Sequence, residues 1–425
     1  MFRSLRNRNY RLYASGSIVS NVGTWMQRTA QDWLVLDLTG GSGTALGVTT
    51  ALQFLPVMLF GLWGGVLADR YAKRPVLIIT QALLGLISLV TGVLVVTGGV
   101  QVWHVYVLAF ALGCVSCVDV PTRQSFVVEM VGRQDLSNAI ALNSSIFNLA
   151  RVVGPAIAGV LIYWFAGTGP IFLINAVTFV ATIGGLIMMR ATELHTPDRV
   201  PRAKGQLREG LTYVLRDPAL LMPITVVGFM ALFMQSFSMS IALMAREVFD
   251  GGASAFGAAS SAFAVGALGG GLLAARRAVP TRRLLMTGAA GFGVLQIVAG
   301  LAPVYLVFLV VLVPVGMAVV TGTTAANASV QLSASPEMRG RVMGIYILVF
   351  TGGAPIGAPI VGWLGELAGP RIAIAIAGAL CVVGTLLAPM LTRLIVRRAT
   401  RPRVEQATVV SGVATAKQVG RSVIA

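Results

Sequence analysis

Apolar stretches of membrane-crossing length follow one another along this chain almost without pause, which leaves it few folds to adopt. A helix crosses a bilayer on about 20 predominantly apolar residues. Twelve such stretches are legible, at residues 12–36, 44–68, 75–97, 102–120, 139–163, 170–189, 219–244, 254–275, 284–301, 304–326, 341–364 and 371–395. They use most of the 425 residues and leave no room for a folded soluble domain. Charged residues make up 11% of the chain, against roughly 25% in soluble domains. The expected fold is therefore an all-α integral membrane protein with twelve transmembrane helices.

The net charge of +17 raises the question of nucleic acid. Its placement answers differently. With both termini set on one side, 28 of the 32 Lys and Arg fall on that side. Only Arg246 and Arg371 fall on the other, and Arg28 and Arg151 lie inside helices. This is a positive-inside pattern, which predicts cytoplasmic termini. The excess charge then faces anionic lipid headgroups, and no nucleic-acid partner is expected.

Ionisable residues within spans mark the places where chemistry happens, because charge at bilayer depth is costly. In the first helix Ser17, Asn21, Thr24, Arg28 and Gln31 share one face by spacing. Asp32 stands four residues beyond Arg28, close enough for an ion pair. The stripe lines either a cavity or a helix interface built on that pair. In the fifth helix Ser144, Asn148, Arg151 and Pro155 share a face. Arg151 lies near mid-membrane, where insertion costs at least ~2.5–3.5 kcal/mol, so it must face protein or water. Helix carbonyls, a water chain or an anionic substrate group would each serve it. Gln235 in the seventh helix and Asn327 in the tenth add amides, and Met and Phe side chains around Gln235 suit loosely specific apolar ligands. Asn21, Arg28, Gln31, Asn148, Arg151, Gln235 and Asn327 are the expected cavity residues. Asp32 and then Asp119 are the expected proton-coupling groups.

Between the second and third apolar runs stands Gly65-Val66-Leu67-Ala68-Asp69-Arg70-Tyr71-Ala72-Lys73-Arg74. Gly61, Gly64 and Gly65 leave room for a neighbouring backbone, and Asp69 suits the positive N-terminal end of another helix. The string resembles the signature loop of the major facilitator superfamily, Gly-x-Leu-Ala-Asp-Arg-x-Gly-Arg-Lys, with Ala72 and Lys73 as departures. Gly154-Pro155-Ala156-Ile157-Ala158-Gly159 is similar to the helix-five signature of that family's antiporters. The wider run from Asp119 to Gly159 looks like the branch containing the bacterial enterobactin exporter and related multidrug and macrolide efflux proteins. The resemblance implies a charge relay of Asp69, Arg70, Lys73 and Arg74 with Asp119; simple capping of the following turn is the other reading of Asp119. It also implies a bacterial cytoplasmic-membrane protein, export as the direction and the proton as the coupling ion. An amphipathic helix is expected at the inner surface after Asp119, over residues 124–137.

Laying residues 138–161 on 341–364, an offset of 203, matches Phe147 with Phe350, Gly154 with Gly357, Ile157 with Ile360, Gly159 with Gly362 and Leu161 with Leu364. Leu5-Arg6-Asn7 likewise matches Leu215-Arg216-Asp217. Two six-helix repeats are expected: residues 1–190 and 219–395, joined by a cytoplasmic linker at 191–218 with a short amphipathic helix (Leu207, Leu211, Val214) and followed by a disordered tail at 396–425. The first helix reads as uncleaved, and no lipidation motif is present. Cys114 and Cys117 have redox or metal spacing, yet within a lipid-embedded helix they read as small-residue packing. With no phosphate-binding loop and no metal or nucleophile constellation beside His104 and His195, neither an enzyme nor a cofactor nor a metal is expected. The function expected is a monomeric secondary transporter, a proton-coupled exporter of amphipathic small molecules such as drugs, siderophores or secondary metabolites. An uptake transporter and a non-transporting membrane assembly factor or sensor are the alternatives.

Overall fold

The computed structural model describes residues 3–132, 134–195, 206–276, 281–335 and 337–400. The first six long helices are α1 (Arg8–Thr39), α2 (Gly43–Arg70), α3 (Lys73–Val96), α4 (Val102–Val131), α5 (Leu136–Phe165) and α6 (Gly169–Ile187). A short helix, α7 (Gln206–Arg216), leads into α8 (Pro218–Met234), α9 (Phe237–Leu243) and a π turn (Met244–Val248), which together form the seventh crossing. Then come α10 (Ala253–Ala275), α11 (Arg282–Gly300), α12 (Tyr305–Ser333), α13 (Arg339–Ala368) and α14 (Pro370–Thr400). Eleven of these units are long and apolar enough to cross a membrane. The twelfth is α1, whose 32 residues would extend about 48 Å; its polar stripe lowers its hydropathy.

Helix starts follow the sequence signals. Asn7 caps α1, its side chain accepting from the Tyr10 amide at 3.2 Å, and Asp217 caps α8 through the Ala219 amide at 2.8 Å. These are the two residues that the repeat equates. The packing is repeated as well. α1 lies on α5 and α6, α3 on α6, and α2 on α4; correspondingly α8 lies on α13 and α14, α11 on α14, and α10 on α12. Two symmetry-related pairs join the halves, α2 with α13 and α5 with α10.

Four glycines make those joints. A Cβ on Gly257 would stand 2.5 Å from the Pro155 carbonyl oxygen, and one on Gly47 would stand 2.5 Å from that of Ala358. Pro155 and Ala358 differ by the repeat offset of 203. Gly159 lies in the same way against the Ala253 carbonyl, and Gly362 against that of Gly43. Only backbone-to-backbone approach fits there.

Three expectations need correction. First, α4 does not end at Asp119, and no separate helix forms over 124–137; α4 continues through Pro121 to Val131. Proline removes the hydrogen bond to the carbonyl four residues back, here Cys117, and Gly64 of α2 lies directly against that carbonyl. Gly64 is thus a close-packing glycine, whereas a Cβ on Gly65 would meet nothing within 4 Å and one on Gly61 only Val57 of its own helix. Second, the seventh crossing is interrupted at Gln235 and Ser236. The Ser236 hydroxyl donates to the Leu232 carbonyl at 3.2 Å, a local bond of the kind that competes with helix continuity. Third, α14 runs on to Thr400, past the expected boundary at residue 395. The linker helix does form as α7, with Val214 buried and Leu211 exposed. The side chain of Leu207, residues 196–205 and residues 401–425 lie outside the described residues.

Candidate functional site

The polar stripe of α1 and the mid-span Arg of α5 come together around one aromatic side chain. The guanidinium carbon of Arg28 lies 5.5 Å from the Trp25 ring centroid and 5.2 Å from that of Phe54. That of Arg151 lies 5.6 Å from Trp25 and 5.2 Å from Phe263. The result is a ladder, Phe54–Arg28–Trp25–Arg151–Phe263, drawn from α2, α1, α5 and α10 and so from both halves. Phe147 meets Trp25 edge-on at 5.6 Å. Ring faces attract cations at these distances, worth about 0.5–2 kcal/mol each.

The expected Arg28–Asp32 ion pair does not form. Among the described residues neither Arg28 nor Arg151 has a carboxylate within 4.0 Å, and neither donates a hydrogen bond. Spacing by four residues permits that pair, but Arg28 sits by the Trp25 and Phe54 rings, and its attraction to Asp32 acts through space without a contact within 4.0 Å. Asp32 is 8% exposed and accepts instead from the Ser238 hydroxyl of α9 at 3.3 Å, across the two halves. Asn21 and Asn148 donate to carbonyls of their own helices, those of Ser17 (2.7 Å) and Ser144 (2.8 Å). Gln31 reaches Gln53 of α2 at 3.4 Å. Gln235 is half-buried at the break after α8. Asn327, on α12, accepts from Gln331 at 2.5 Å; no hydrogen bond joins Gln235 or Asn327 to the arginines.

The expected relay between the 65–74 loop and Asp119 is not assembled. Lys73 pairs with Glu129. Asp119 accepts from Thr80 and Gln81, both at 2.7 Å, and pairs with Arg123 at 2.6 Å. Arg74 donates to the Leu186 and Ile187 carbonyls at 2.8 Å, and Arg70 is exposed. The continuity of α4 is the reason. Ten residues of helix carry Glu129 about 15 Å beyond Asp119, to the level of Lys73. The Asp69 side chain lies outside the described residues. Arg341, at the start of α13, pairs with Glu209 of α7 at 2.6 Å.

The ends of the molecule differ. At the end where α2 begins, the four-glycine joints are reinforced by a polar clasp. Glu366 accepts from the Ser42 hydroxyl, from the Thr44 amide at 3.1 Å and from the Thr44 hydroxyl at 2.6 Å. Arg246 pairs with Asp37 at 2.6 Å. Deeper, at the level of the arginines, Ser261 donates to the Val152 carbonyl at 2.9 Å. At the Arg-rich end, a Cβ on Gly65, Gly340 or Gly344 would meet nothing within 4 Å. There Trp63 of α2 is 68% exposed and Ile347 of α13 50%. The halves are joined at one end and parted at the other, with the arginine ladder between.

Sequence reasoning missed Trp25, Phe54, Phe263, Ser238 and Glu129. Trp25 was within reach, since it stands three residues before Arg28 on one helix face. Phe263 and Ser238 belong to the other half, and no local pattern announces them.

A family model described as transmembrane secretion effector matches residues 1–411. The chain belongs to this family of major facilitator transporters. Among its relatives, the multidrug efflux pump Tap of Mycobacterium tuberculosis is 28% identical over 379 residues, covering 83% of this chain and 86% of the pump. The staphyloferrin A transporter of Staphylococcus aureus is 28% identical over 151 residues, 35% of this chain and 38% of that protein. Among solved structures, a bacterial homologue of the human lysosomal transporter Spinster, inward-facing and unoccupied, aligns over 93% of this chain and 99% of its own. Its TM-score is 0.69 at 13% identity, which shows a shared fold. This membership makes the chain a membrane transporter rather than an enzyme, and the twelve-helix architecture expected from sequence is the one found.

Proposed function

We propose that this transporter exports amphipathic small molecules in exchange for protons, by rocking of two bundles, residues 1–190 and 219–395, about the arginine ladder. The observation that carries the reading is the asymmetry of the ends: glycine joints and a clasp close one, the other is parted, and unpaired ionisable groups lie between. Alternating access needs such an arrangement. The distribution of Lys and Arg supports termini in the cytoplasm of a bacterial cell, which makes the parted end cytoplasmic. In the other state, closure there would bring the Gly65, Asp69 and Arg70 end of α2 to the start of α13. Export is supported by the efflux named for Tap. Proton exchange is assigned to Asp32, whose bond to Ser238 spans the halves and would be sensitive to its protonation.

Everted and right-side-out membrane vesicles, given an imposed proton gradient and fluorescent amphipathic dyes of both charge signs, test this. Proton-driven accumulation is expected in everted vesicles only. Asp32→Asn is expected to abolish gradient-driven accumulation while dye exchange without a gradient persists. Accumulation in right-side-out vesicles would make the protein an uptake system. No movement in either orientation would leave a sensor or assembly factor.

A further inference from the structure

The arginine ladder is electrostatically incomplete. Two guanidinium groups lie within 5.6 Å of the same ring centroid, and hence within about 11 Å of one another. An Arg at mid-span is costly, and two like charges at this separation add repulsion. Contacts with Trp25, Phe54 and Phe263 return only part of that. Asp32 attracts Arg28 through space, but among the described residues no carboxylate stands within 4.0 Å of either guanidinium, and Arg151 has no such neighbour at all in its electrostatic surroundings.

The ring contacts also leave the donors unused. A cation–π contact draws on the charge of a guanidinium and makes no conventional hydrogen bond with its five N–H groups. Neither Arg28 nor Arg151 donates one of them to a described residue. Both side chains are half-buried, so these donors are open to water or to a ligand. A carboxylate, sulfonate or phenolate can accept two of them side by side. Phe147, Phe54 and Phe263 supply apolar faces around the same spot. We propose that Arg28 and Arg151 form the recognition site for an organic anion with a flat aromatic body, the anionic group held on the guanidinium edges and the body against the neighbouring rings.

This proposal rests on the transporter reading and fixes its substrate class. Because Phe263 belongs to the second half and Trp25, Phe54 and both arginines to the first, a bound ligand touches groups that separate when the halves move. Water on the N–H edges is the alternative occupant, and it would show no preference between anionic and neutral ligands.

The test uses the full chain in nanodiscs of zwitterionic phosphatidylcholine, so that no lipid headgroup supplies the anion. Binding of 2-naphthoate is compared calorimetrically with that of 2-naphthamide, which is nearly the same shape without the charge. Wild type is expected to bind naphthoate at least tenfold more tightly than naphthamide. Arg28→Gln and Arg151→Gln are each expected to reduce naphthoate affinity about tenfold and to leave naphthamide within twofold. Arg28→Lys and Arg151→Lys, which keep the charge and lose the paired donors, should fall between and cover the case in which a Gln variant fails to fold. Equal binding of the two probes by wild type would overturn the proposal. So would an unchanged ratio in the folded Gln variants or, where those do not fold, in the Lys variants. Transport has its own readout. Naphthoate preference without dye movement in either vesicle orientation would remove the transporter reading and keep the site, whereas proton-driven efflux without that preference would do the reverse.

Discussion

Replacing Gly257 by Ala should unbalance the transporter between its two end states. The added Cβ would sit 2.5 Å from the Pro155 carbonyl oxygen, where ordinary contact begins about 0.9 Å farther out. Both partners are backbone, so no side chain can swing aside. The remaining response is separation of α5 from α10, and overpacking of this kind costs about 1–3 kcal/mol. That cost falls only on the state in which these helices touch. In the state parted at this end the methyl group is free, so the equilibrium should move toward it by roughly 5- to 150-fold. Gly47→Ala meets the Ala358 carbonyl at the same 2.5 Å and should do the same. Both joints open in one motion at separate sites, so the two effects should add. Spin labels on cysteines placed at Trp164 and Leu301, exposed positions in opposite halves, report the separation by double electron–electron resonance. The native cysteines at 114, 117 and 381 would be replaced first. Wild type should show a predominant short distance and each variant a new longer one. Gly65→Ala, where nothing lies within 4 Å, is the control and should not add the long distance. Unchanged distances in a folded Gly257→Ala protein, or the same shift in the control, would refute the reasoning.

Two further outcomes follow from the polar groups. Asp119→Ala leaves Arg123 without its carboxylate and strips Gln81 of its acceptor, so it should destabilise the protein by about 3–5 kcal/mol; an unchanged thermal midpoint in detergent would contradict this. Glu366→Gln loosens an exposed clasp, worth at most about 1 kcal/mol, so in the same spin-label experiment it should move the equilibrium less than fivefold, and a larger shift would mean that the clasp rather than the glycines holds this end.

Much of this was legible in the sequence because membranes penalise the same errors everywhere. Apolar length located all twelve crossings, and the cost of buried charge picked out Arg28, Asp32 and Arg151. The repeat offset matched Gly154 with Gly357 and Gly159 with Gly362, and the structure uses each pair equivalently: Gly154 lies against α1 and Gly357 against α8, while Gly159 and Gly362 both join the halves. Reading failed where a local rule had a distant competitor. Pro121 should have ended a helix, but Gly64 of α2 covers the carbonyl that proline frees. Arg28 and Asp32 had pairing spacing along α1, but Arg28 meets the Phe54 ring and Asp32 the Ser238 hydroxyl, both from other helices. Glu129 stayed hidden because it was placed on a separate surface helix.

The clasp at the joined end makes the molecule sensitive to dissolved salt. Its charged members are wet: the Asp37 side chain is 51% exposed and that of Arg246 26%, and Glu366 is exposed. Attraction between such groups is screened over about 8 Å at physiological ionic strength and about 3 Å at 1 M salt. Asp119 and Glu129, at the Arg-rich end, have side chains only 4% and 5% exposed, and screening hardly reaches them. Dissolved salt therefore acts on the pair that joins the two halves and hardly touches the pairs inside the first half. Raising the salt concentration on the side of the membrane that this end faces would ease the parting of the two halves there, with no change in the protein.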